Sequence, residues 1–117
     1  MRIVIDARMV ENKSTSNKNY ESKKLTNLIE QIKQTYIKYK GLKYEGEVSV
    51  LITCYFDKNG KTKEIEYLKK PSADNIGKTV LESLKNIAYS NISQVTMLKV
   101  IKRFGNKNQI IIQVDRL

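Results

Sequence analysis

Few side chains in this sequence are equipped for covalent or acid–base chemistry. Cys54 is the single cysteine, and with no histidine in the chain it has neither the commonest general base nor the commonest zinc ligand beside it. In GEVSVLITCYF it shares the side of a strand with Val48, Val50, Ile52 and Phe56, and no helix start lies close by to stabilise a thiolate. That setting predicts a buried, inert thiol for which valine is an acceptable substitute. Glu64 and Glu66 stand two apart in KTKEIEYLKK, so a strand puts them on one face among lysines. Such a face suits solvated ion pairs, not the desolvated carboxyl that general acid catalysis needs. Gly41, Gly46, Gly60, Gly77 and Gly105 are too scattered to form a phosphate-binding loop. These residues predict a chain that is not an enzyme and holds no metal or cofactor.

The strongest compositional feature is charge. Twenty-two Lys and Arg against 12 Asp and Glu leave a formal charge of +10 over 117 residues, enough to attract any polyanion or acidic partner. Arginine occurs only at Arg2, Arg8, Arg103 and Arg116, which argues against bidentate readout of bases. In YIKYKGLKY, Tyr36, Tyr39 and Tyr44 interleave with Lys38, Lys40 and Lys43, a pattern that can stack on single-stranded bases. Tyr36 and Tyr39 also continue an apolar helical stripe, which favours a place at the rim of the core. A small basic nucleic-acid-binding protein is therefore the second functional reading.

The elements that would position these residues follow from periodicity. Ile3, Ile5, Ala7 and Met9 alternate with Arg2, Asp6 and Arg8 as a short half-buried strand whose polar face Val4 and Val10 interrupt, and Glu11–Asn19 carries no apolar residue and reads as a polar linker. Leu25, Leu28, Ile29, Ile32, Tyr36 and Tyr39 form one helical stripe, opposite Lys24, Glu30, Lys33 and Lys38, and Gly41 ends the helix. The strand through Val48–Phe56 meets a DKNG turn and returns through Ile65, Tyr67 and Leu68 as an antiparallel hairpin. Pro71 stops that strand, Ser72 or Asp74 caps a second helix, and Ile76, Val80, Leu81, Leu84 and Ile87 make its buried stripe. QVTMLKVIKRF is ambiguous between strand and helix, while QIIIQV is a closing strand. The expected fold is α+β: a small three-stranded antiparallel sheet packed on two or more helices, with room for an extra N-terminal strand. Residues 1–20 are expected to form that strand and the linker, and 21–117 the domain.

The order of these parts resembles the C-terminal domain of TonB and TolA type proteins. The resemblance rests on GEVSVLI leading to DKNG, the return through KEIEYLKK, the helix with Ile76, Leu81, Glu82 and Leu84, the preceding helix LTNLIEQIKQTYIKY and the closing NQIIIQV, and it spans roughly Leu25 to Val114. YKGLKYEG has no proline before the first strand, which leans toward a TolA-like or divergent TonB-like member. The resemblance implies a periplasmic interaction domain of a Gram-negative energy transducer, anchored to the inner membrane, and joined to proton-channel partners, through a segment absent from this sequence. It would bind outer-membrane or periplasmic protein segments by strand addition at an open sheet edge. Gln109, Ile110, Ile111, Ile112, Gln113 and Val114 would carry that contact, with Lys102 and Arg103 attracting an acidic partner. Open edges also admit a homodimer. On this reading nucleic acid is not an expected partner.

Overall fold

One strand settles where the layers of this molecule meet. In the computed structural model, which describes residues 1–12, 19–58 and 71–117, Val48, Val50, Ile52, Cys54 and Phe56 are each at most 1% exposed, while the residues between them are half-buried. This alternation puts one side of the strand into the core and the other toward solvent. The elements in chain order are β1 (Arg2–Ile5), α1 (Asn19–Lys38), β2 (Val48–Asp57), α2 (Ala73–Leu84), a 3-10 turn (Ile92–Gln94), β3 (Val95–Gly105) and β4 (Gln109–Arg116).

They build a four-stranded sheet in the order β1-β4-β2-β3. β2 pairs antiparallel with β4 and parallel with β3, and β1 adds antiparallel to the far side of β4. A parallel neighbour requires a long crossover, and α2 lies in the stretch that joins β2 to β3. The α+β class and the N-terminal strand are as the sequence predicts. The sheet itself is mixed and four-stranded, because QVTMLKVIKRF extends as β3 alongside β2. The proposed returning strand at Ile65, Tyr67 and Leu68 lies outside the described residues, as do Asn59 and Gly60 of the turn and the pair Glu64 and Glu66.

Both helices cover the same face of the sheet. Leu28, Ile32 and Tyr36 from α1 and Ile76, Val80 and Leu84 from α2 enter one core with Ile3, Ile5, Met9, Ile110, Ile112 and Val114. Ser72 caps α2, accepting from the Asn75 N–H, and α2 approaches β3 closely at Gly77, where an added Cβ would stand 3.0 Å from Leu98 Cδ2. The glycine's helix-propensity cost thus accompanies a tight helix–strand contact. α1 ends with Lys40 in the left-handed region (φ 57°), the Lys40 N–H bonded to Ile37 O and the Gly41 N–H to Tyr36 O. That is the Schellman pattern with lysine at the left-handed position. Gly41 is required for space, since its Cβ would fall 2.2 Å from Tyr36 Cε1.

Two side-chain hydroxyls and one amide hold the loops. Tyr36 donates to Leu42 O and Tyr89 donates to Leu81 O, so each buried ring carries its polar end to a backbone acceptor. Gln94 Oε1 accepts from the Ser90 and Asn91 N–H groups, and its Nε2 donates to Tyr44 O and Gly46 O at 2.9 Å. One side chain thereby ties the start of β3 to the chain entering β2. At the other end, the turn from β3 to β4 passes over the end of β2, where Asn108 Oδ1 accepts from the Asp57 N–H and Gly105 O from the Lys58 N–H.

Two consequences can be measured. Gln94→Ala removes four hydrogen bonds at a partly exposed site, and urea denaturation should show a loss of about 1–2 kcal/mol with an unchanged m-value. Burial pushes the Cys54 thiol up to about 12, against a smaller opposing effect of Lys102. The unfolded thiol ionises first, near its ordinary value of 9.0, so stability is full below pH 9 and declines as pH rises toward 12. Cys54→Val should stay within about 1 kcal/mol of the parent at pH 7. It should also lose less stability than the parent between pH 9 and 10, in paired urea titrations.

Candidate nucleic-acid interface

The structure separates the residues expected to receive a partner strand. β4 lies between β1 and β2, and its register runs against Ile5–Arg2 on one side and Tyr55–Val48 on the other. Its backbone N–H and C=O groups are therefore committed within the sheet. Ile110, Ile112 and Val114 are buried under the helices, while Gln109, Ile111 and Gln113 face the open side. Strand addition along Gln109–Val114 is thus blocked by the native neighbours. Lys102 is half-buried on the helix-covered side opposite Cys54, where burial lowers its pKa, and Arg103 is exposed on the other side opposite Tyr55. The Arg103 guanidinium donates back to Lys102 O at 3.0 Å.

The start of α2 gathers polar groups that read from sequence as a cap. Asp74 and Lys78 are exposed one helical turn apart on the same face. The Asp74 carboxyl is held below its usual range, first by the Ser72 side chain and then by N–H groups of the first helical turn. Asn75 binds the segment after β1 in both directions, its Oδ1 accepting from the Asn12 N–H and its Nδ2 donating to Asn12 O, both at 2.7 Å. This pair fixes the chain beside the helix start. Among the described residues no three of His, Cys, Asp and Glu come together as metal ligands.

At the opposite end of the helical layer, α1 finishes in a surface of mixed character. Tyr36 is fully buried, yet Ile37, Tyr39 and Leu42 are 53%, 59% and 64% exposed. Exposed Lys38, Lys40 and Lys43 alternate with them, and Lys38 Nζ stands 5.7 Å from the centroid of the Tyr39 ring. The expectation that Tyr39 belongs to the core rim fails because α1 stops at Lys38 and the left-handed Lys40 turns the chain away. The readable signal was Gly41 itself, which marks the end of the stripe at Tyr36. A third feature is a shallow cavity of about 300 Å³ lined by Tyr55, Gly105, Asn106, Lys107 and Gln109, two of which contact Asp6. Asp6 accepts from Gln109 Nε2 at 3.1 Å and pairs with Lys107 at 3.2 Å.

The turn after α1 offers cations beside exposed aromatic and aliphatic side chains, the complement of an anionic polymer carrying flat bases. Comparison with known families points the same way. A family model described as endodeoxyribonuclease RusA matches residues 6–115, nearly the whole chain. A search of curated proteins finds no match. The match overturns the TonB/TolA resemblance, which rested on apolar periodicity and a turn that many α+β domains share. It also overturns the expectations drawn from that resemblance: a periplasmic, membrane-anchored location, envelope-protein partners and the dismissal of nucleic acid. The expectation of a non-enzyme is corrected too, since the family is one of endonucleases. The chain belongs to the RusA endodeoxyribonuclease family.

Proposed function

We propose that this protein acts on DNA as an endonuclease, with branched DNA such as a four-way junction as its substrate. The observation that carries the reading is the family match over residues 6–115. The formal charge of +10 supports it, because lysines scattered over a surface neutralise backbone phosphates without reading sequence. Sparse arginine argues against bidentate readout of base sequence. Arg103, exposed on the open side of β3, supplies part of that phosphate field.

Cutting a phosphodiester requires that the attacking water be oriented and that charge on the phosphoryl oxygens be neutralised as the bond breaks. Asp74 and Lys78 are the described pair suited to these two tasks, an ionised carboxylate that can orient a water by accepting its hydrogen bond and a cation one turn away. Endonucleases of many kinds use a divalent cation held by converging carboxylates. The described residues do not bring together such a donor set.

The test uses the full chain with an end-labelled four-way junction and a linear duplex of one of its arms, in buffer with and without magnesium. Retention of the junction in preference to the duplex is expected, with affinity falling steeply as salt rises. Junction strands should be nicked, and Asp74→Asn should slow nicking by about a hundredfold while leaving retention within about twofold. Failure to retain either DNA at low salt would overturn the reading.

A further inference from the structure

The exposed end of α1 is left unused by the chemistry above. Ile37, Tyr39 and Leu42 are large apolar side chains more than half exposed, placed within a few residues of one another and separated by Lys38, Lys40 and Lys43. We infer that this turn is a stacking site for an unpaired base of the DNA, with Tyr39 under the base and the flanking lysines on its phosphates. The inference rests on the DNA reading above and adds a named contact and a preference for unpaired strands.

Three observations carry it. The turn is built, not frayed: Tyr36 lies beneath it fully buried, donates to Leu42 O, accepts the Gly41 N–H at its carbonyl, and leaves no space for a side chain at Gly41. Tyr39 and Leu42 are thus presented to solvent by a fixed backbone, which lowers the ordering cost of a contact. Exposed apolar groups of this size mark a contact surface when they cluster. The alternating lysines select a partner that carries a flat apolar face and negative charge in every unit, and a single-stranded nucleotide has both. A duplex hides its bases in the stack, so only its phosphates could use this surface.

The test compares the whole protein with its Tyr39→Ala and Tyr39→Phe variants by fluorescence anisotropy. The probes are a labelled single-stranded oligonucleotide and the blunt duplex of the same sequence, and a second single strand carries 2-aminopurine. Tyr39→Ala should weaken single-strand binding by about tenfold and duplex binding by less than about twofold. Tyr39→Phe should retain binding to both, because the ring face does the stacking. The 2-aminopurine signal should be quenched by the parent and Tyr39→Phe and not by Tyr39→Ala. Loss on both DNAs alike, or on neither, would overturn the stacking site while leaving DNA binding in place. A parent that binds neither DNA would overturn both readings. Tyr39-dependent attachment to vesicles containing phosphatidylserine, with no effect on single strands, would assign the surface to a membrane instead.

Discussion

Pairing on both edges of β2 is the constraint on which the rest depends. One edge runs parallel to β3 and the other antiparallel to β4, so the strand is paired on both sides from Ser49 to Tyr55. With Val48, Val50, Ile52, Cys54 and Phe56 all facing the core, β2 cannot slip by one residue without turning its apolar side to water. The parallel pairing in turn obliges the chain to leave one end of β2 and return at the other. That journey is made through α2, and it brings Asp74 and Lys78 to the surface at the start of the helix.

The helical layer is fastened by buried rings whose polar ends find backbone. Burial pushes the Tyr36 hydroxyl up to about 12 and raises that of Tyr89 as well, so both remain neutral donors over the ordinary pH range. Each bond fixes a chain reversal: Tyr36 the exit from α1, and Tyr89 the loop after α2, where Asn86 takes a left-handed conformation. The turn after α1 assigned to DNA therefore has little freedom and is supported from below by the core. Function at such places depends on fixed presentation more than on affinity of any one group.

Much of the scaffold was legible in the residues. The alternation in Val48–Phe56, the stripe Leu28, Ile32 and Tyr36, the Ser72 cap and the closing strand all appear where local pattern puts them. Strand order was not legible, because pairing partners far apart in sequence leave no periodic trace. A closing strand read as an open edge is in fact covered by four residues from the chain's beginning. The same gap explains the mistaken family: hairpin-like spacing and apolar alternation are shared by folds of unrelated function. The candidate site was visible only in part. YIKYKGLKY displayed its aromatic and basic residues, but separating buried Tyr36 from exposed Tyr39 required knowing where the helix ends. Asp74 read as a helix cap because capping is what a carboxylate at that position does in most proteins.

Backbone amide NMR of the full chain, titrated with a four-way DNA junction at moderate salt, tests the central claim most directly. The account predicts shifts concentrated at 37–43, at the start of α2 and around Arg103, fading as salt is raised, with the amides of Gln109–Val114 largely still. Shifts centred on the Gln109–Val114 amides, or no shifts with DNA at any salt, would contradict it.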